Sequence, residues 1–149
     1  MNRKIKAERY QVFYQDMIHD TYTMGCDFYE EDEAEIYTEP IAFSYTGVMV
    51  TTKEGRLGDI EIIIPKLQPE PPGFFRKPMP LDAEIKEFTV RSNPETQEFF
   101  CFVDEGTVFW QENAGTCVKA VDCGDIVFYL DEETTMIGFL IKIKEWNPG

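Results

Sequence analysis

Asp125 to Ile143 read DIVFYLDEETTMIGFLIKI. Ile126, Val127, Phe128, Tyr129 and Leu130 form a run of β-branched, aromatic and aliphatic residues. Asp131, Glu132, Glu133, Thr134 and Thr135 interrupt it, and a second run places Ile137, Phe139, Ile141 and Ile143 at alternate positions. Apolar period-two stretches on either side of a short polar gap describe a β-hairpin. The opposite positions, Val127, Tyr129, Met136 and Leu140, are apolar as well. Both faces of the hairpin therefore require a cover, which places it inside a sheet rather than at an edge.

The pattern recurs on the N-terminal side. Phe99 to Val103, Asp104-Glu105-Gly106 and Thr107 to Trp110 read as a second hairpin, with Gly106 suited to a left-handed turn position. Cys117 to Val121 reads as a short strand that leads through Asp122-Cys123-Gly124 into the first hairpin. Val48 to Thr52, the turn Lys53-Glu54-Gly55-Arg56, and Ile60 to Ile64 form a third, which Pro65 ends. Ile36 to Thr38 and Ile41 to Thr46 alternate on either side of Pro40, and Ile85 to Arg91 adds a strand. The tripeptide Gly-Asp-Ile opens a strand twice, at Gly58 and at Gly124, too short a match to be a repeat.

Two stretches depart from strand patterning. In Lys6 to Tyr22, the residues Tyr10, Phe13, Tyr14, Met17 and Ile18 fall at helical spacing and predict a helix packed on the sheet. Tyr10, Val12 and Tyr14 also fit a strand, and basic residues in the first turn oppose the helix dipole. Thr23 to Asp27, with Gly25, reads as a break. Pro65 to Pro80 holds six of the nine prolines and reads as a long extended loop. The expected fold is mainly β (α+β): an antiparallel sandwich or barrel-like sheet built from hairpins, with one N-terminal helix, in a single domain spanning 1–149.

Of the 149 residues 43% are hydrophobic, enough for a packed core without disulfides or metal. No apolar run is long enough to span a bilayer, and the basic N-terminus lacks the apolar stretch of a signal peptide. Cys26, Cys101, Cys117 and Cys123 follow no disulfide framework, so the expected compartment is cytoplasmic.

The formal net charge is −14, unevenly spread. Nine acids and no Lys or Arg lie between Asp16 and Glu39, and ten acids with one base, Lys119, lie between Ser92 and Glu133. Such a field repels phosphate backbones and anionic membranes, so neither nucleic acid nor membrane is an expected partner. It attracts a basic protein, although acidity also simply confers solubility.

Catalytic signals are sparse. His19 is the only histidine, which excludes the usual His-rich zinc and iron sites. The cysteines include no C-x-x-C pair; Cys101 reads as core, and Cys123, in a polar turn, as the most exposed thiol. No nucleophile elbow, P-loop or dinucleotide fingerprint is present, and neither a metal nor a cofactor is expected. The run Glu30 to Glu35 lacks the EF-hand spacing for calcium.

The leading expectation is a non-catalytic acidic binding protein, of the inhibitor or immunity type, that masks a basic partner such as a nuclease toxin. Its contacts would come from Glu30, Glu31, Asp32, Glu33 and Glu35 and from the turn acids Asp131, Glu132 and Glu133. Phe74 and Phe75, in the proline-rich loop, are candidate anchors or plugs for the end of the sheet. The alternatives are a small enzyme or ligand-binding barrel using His19 and Cys123, and a structural subunit of a larger assembly.

Overall fold

A computed structural model describes residues 3–18, 23–28, 40–44, 46–52, 54–63, 84–92, 99–104, 107–112 and 116–142. These residues form β1 (Arg3–Lys6), β2 (Tyr14–Ile18), β3 (Thr23–Asp27), β4 (Ile41–Ser44), β5 (Gly47–Thr51) and β6 (Leu57–Ile63). They continue with β7 (Glu87–Val90), β8 (Phe99–Asp104), β9 (Thr107–Glu112), β10 (Lys119–Asp122), β11 (Ile126–Leu130) and β12 (Met136–Lys142). Three antiparallel sheets result: a first sheet ordered β2-β3-β6-β5-β4, a second ordered β10-β11-β12-β9-β8, and a ribbon, β1-β7. The protein is mainly β, and the described residues contain no helix.

The predicted hairpin forms as β11 and β12. β11 and β12 pair, and β12 takes the middle place of the second sheet with β9 on its other side. The alternation breaks at one point. Tyr129 lies opposite Gly138 but Leu130 lies opposite Met136, so Ile137 is an extra residue, a β-bulge. Met136 consequently joins Phe139 and Ile141 in the main core, while Ile137 joins Leu140 in a second cluster. Strict alternation groups these two residues the other way round, and the bulge corrects it. Gly138 follows the bulge at a close approach to β9, where a Cβ would lie 2.7 Å from the Trp110 carbonyl oxygen.

The main core collects residues from all three sheets. Phe43 of β4 meets Trp110 of β9 edge-on at 4.9 Å and Phe139 of β12 at 5.8 Å. Met24, Cys26, Met49, Ile60 and Ile62 enter this core from the first sheet, and Ile126, Phe128 and Leu130 from the second. The ribbon supplies Ile5, Phe88 and Val90, with the Phe88 ring 4.4 Å from that of Phe128. Backbone bonds tie the ribbon to both large sheets: Lys6 N donates to Gly55 O at 2.8 Å and Thr89 N to Thr134 O at 3.0 Å. The second cluster, Phe109, Ala120, Tyr129, Ile137 and Leu140, is buried separately on the second sheet.

The predicted N-terminal helix is not found. Residues 11–13 belong to no helix and 14–18 form β2. Alternation outweighs the helical stripe: Tyr10 and Val12 are both buried, while Phe13 and Tyr14 are exposed. Tyr10 explains the preference. Its hydroxyl donates to Lys6 O at 2.5 Å and accepts from Leu57 N at 3.1 Å, while its own amide donates to Cys123 O at 2.8 Å. Val12 N donates to Asp125 Oδ2 at 2.8 Å. Extended backbone thus finds partners on two sheets, and no helix could present these groups in that order. Gly124 makes the approach possible: its φ is +84°, and a Cβ there would stand 2.8 Å from Tyr10 O. Thr23 to Asp27, read as a break, is instead β3, seated between β2 and β6. Gly25 sits within it opposite Glu61, where period-two patterning lapses for want of a side chain.

Candidate functional site

The two faces of the first sheet differ in chemistry. In β3, Met24 and Cys26 turn to the core and leave Thr23, Gly25 and Asp27 on the other face. In β6, Ile60 and Ile62 turn inward and leave Asp59, Glu61 and Ile63 outward. The β3–β6 ladder then sets Asp27 opposite Asp59 and Gly25 opposite Glu61. On the flanks, Tyr14 of β2 lies opposite Asp27, while Val50 and Val48 of β5 lie opposite Asp59 and Glu61. Three carboxylates from two neighbouring strands therefore share one face, bordered by Tyr14 and Ile63, which are 59% and 47% exposed.

Directly opposed like charges weaken a strand pair. Among the described residues no ion pair or hydrogen bond reaches the carboxylates of Asp27, Asp59 or Glu61. Burial, then the charges of Asp27 and Glu61, push the Asp59 carboxyl up from 3.8 to about 6. Burial and Glu61 push Asp27 in the same direction. Burial raises a carboxyl by limiting the water that can solvate its charge, and the register neighbours on β5 are the apolar Val48 and Val50.

The turn acids have different surroundings. Asp131 Oδ1 accepts from Glu133 N at 2.9 Å and Thr135 N at 3.0 Å, so one of its oxygens organises the β11–β12 turn. That turn holds Thr134 at a φ of 61° and anchors Lys119 Nζ on Thr134 Oγ1 at 2.6 Å. Glu132 and Glu133 are exposed at its tip. Nearby, Arg91 pairs with the buried Glu112 at 2.6 Å; burial first, and the Asp131 charge after it, raise the Glu112 carboxyl against that pairing. Glu30, Glu31, Asp32, Glu33, Glu35, Phe74, Phe75 and His19 lie outside the described residues. Sequence places the acidic run three residues beyond Asp27, at the end of β3.

Cys123 is not an exposed thiol. It is 1% exposed, because the Asp122-Cys123-Gly124 turn folds against Tyr10. Burial, ahead of the Asp122 charge, pushes its thiol up to about 12, so it is protonated and a poor nucleophile at neutral pH. Cys26 and Cys101 are core residues held up in the same way. Among the described residues no group of three or more His, Cys, Asp or Glu is placed to hold a metal ion, and no helix is long and apolar enough to cross a membrane.

Sequence reasoning missed Asp27, Asp59 and Glu61. Asp59-Ile60-Glu61-Ile62 does alternate, so the outward direction of two acids was legible. Their meeting with Asp27 depends on a strand that the sequence presents as a break. No protein-family model matches the chain, and comparison with curated proteins and with solved structures finds no match.

Proposed function

We propose that this is a non-catalytic acidic binding protein, of the inhibitor or immunity type, whose partner is a basic protein such as a nuclease toxin. The carrying observation is the outward face of β3 and β6, where Asp27 stands opposite Asp59 with Glu61 beside them. A fold with a paired alternative at this seam would be more stable, so the opposed carboxylates are kept for something outside the sheet. Lys or Arg side chains of a partner would relieve the repulsion and recover the desolvation already spent on Asp59. Tyr14 and Ile63 would add apolar contact area beside the carboxylates. In the sequence the acidic run from Glu30 to Glu35 follows β3, and its charge would add to the field that steers association. The two sheets and their shared core make a sandwich-like body, and the rigid seam would hold these acids in place without a partner.

The test uses a lysine-rich peptide as the probe and reads association rates at two ionic strengths. Asp59→Asn with Glu61→Gln should slow association more than Glu54→Gln with Glu84→Gln, which removes the same charge from exposed positions elsewhere. Equal slowing by the two pairs would reduce the sheet face to one part of a general acidic surface and would remove the reason for placing a site there.

A further inference from the structure

The two carboxylates facing each other across β3 and β6 differ from the other acids in the described residues in one respect: they occupy directly opposed positions of a single ladder. Opposed ladder positions hold side chains within roughly 5 Å of each other at Cβ. At such a separation two carboxylates in a partly dry site hold one proton between them more readily than two negative charges. We infer that Asp27 and Asp59 act as one proton-binding pair, a switch that tightens the β3–β6 seam and lowers the charge of its outer face as the solution becomes mildly acidic.

Among the described residues the charges that act on the pair favour proton uptake. Glu61 lies on the same face of β6, two residues along, and adds a third negative charge. From β2, Tyr14 stands opposite Asp27, and Asp16 takes the register position opposite Gly25. From β5 come Val48 and Val50, which bring no charge and limit hydration. No cation appears among the causes that shift Asp27 or Asp59. The proton comes from solvent, and its uptake turns one carboxylate into a hydrogen-bond donor facing a carboxylate acceptor. Repulsion across the seam is then replaced by a charge-assisted hydrogen bond.

The direction of the linkage follows. The raised carboxyl makes the folded state bind a proton that the unfolded chain releases. The stabilisation from this proton is complete below the unfolded value of 3.8 and is lost as pH rises through about 6. For a basic partner the consequence, which rests on the function proposed above, is weaker attraction to the protonated face. The proton uptake itself does not depend on any partner.

The experiment is a carbon-detected NMR titration of the carboxyl groups in the full chain, with urea midpoints measured at pH 5.0 and 7.5. Asp27 and Asp59 should titrate together in two steps, the upper near pH 6. In Asp27→Asn the Asp59 step should move down by about one pH unit, as expected for removing an adjacent charge. In Asp59→Asn the urea midpoint should lose most of the rise that the wild type gains on going from pH 7.5 to 5.0. Independent titration of both groups near 4, or a pH dependence of stability unchanged in Asp59→Asn, would overturn the inference. Either result would leave the binding experiment with the lysine-rich peptide standing on its own.

Discussion

The two large sheets solve the same problem differently. The second sheet buries apolar side chains on both faces: Phe128, Phe139 and Ile141 in the main core, Phe109, Ile137 and Leu140 in the separate cluster. The first sheet buries Met24, Cys26, Ile60 and Ile62 on one face and turns Asp27, Asp59 and Glu61 outward on the other. Hydrophobic burial is roughly proportional to area, so the separate cluster gives the second sheet a gain that the first sheet forgoes on its outer face. The two Gly-Asp-Ile copies repeat the contrast at the scale of one residue. Asp125, beside the second sheet, accepts a bond from Val12 N at 2.8 Å, whereas Asp59, in the first, faces another carboxylate.

The largest effects should come from the two-faced sheet. Phe139→Ala, in the main core, and Phe109→Ala, in the separate cluster, should each cost about 3–5 kcal/mol in urea unfolding. Val48→Ala, on the outward face of the first sheet, should cost less than about 1 kcal/mol, since that side chain is only half-buried. If Phe109→Ala proves as mild as Val48→Ala, the sheets are alike and the comparison fails. Gly138→Ala should cost about 1–3 kcal/mol, because the new methyl meets the Trp110 carbonyl oxygen unless β9 moves away.

The tripeptide pair gives a test of sign. Asp125→Ala should cost about 1–2 kcal/mol by leaving the Val12 amide without its acceptor. Asp59→Asn should do the opposite at pH 7.5 and stabilise by about 1 kcal/mol. The shift of the carboxyl to about 6 would permit more, but the group is only partly buried and solvent screens it. That gain should vanish as pH falls below the unfolded value of 3.8, where the wild-type carboxyl is neutral in both folded and unfolded chains. Losses of similar size for both variants in urea titrations would mean that Asp59 has a favourable partner after all.

The smallest effect should come from the acidic run. Replacing Glu30, Glu31, Glu33 and Glu35 by Gln should change stability by no more than about 0.5 kcal/mol, or raise it slightly as repulsion falls. Association with a basic probe should slow and lose part of its salt dependence. A strong loss of stability would place these acids in structural contacts instead.

Three hairpins were readable because each is local. Alternation, a turn residue and a second alternating run all fall within about twenty residues, and the pairing follows from chain connectivity. The hairpin at 125–143 shows the limit of this reading, since the bulge at Ile137 changes which residues share a face while leaving the pattern of residue types unchanged. Composition alone also marked the chain as acidic, and alternation turned Asp59 and Glu61 outward.

Tertiary structure decided the rest, because the forces involved act between residues far apart in the chain. Tyr10 and Val12 take extended backbone because Cys123, Leu57 and Asp125 offer them partners across two sheets, a preference that the helical spacing of neighbouring residues could not reveal. Cys123 is buried because that same segment covers its turn. Asp27 meets Asp59 only because β3, interrupted at Gly25 and lacking a legible partner, is drawn between β2 and β6 by Met24 and Cys26 entering the core. A sequence determines which residues seek burial and which seek water; which two carboxylates must then stand face to face is set by the register of strands that no local pattern connects.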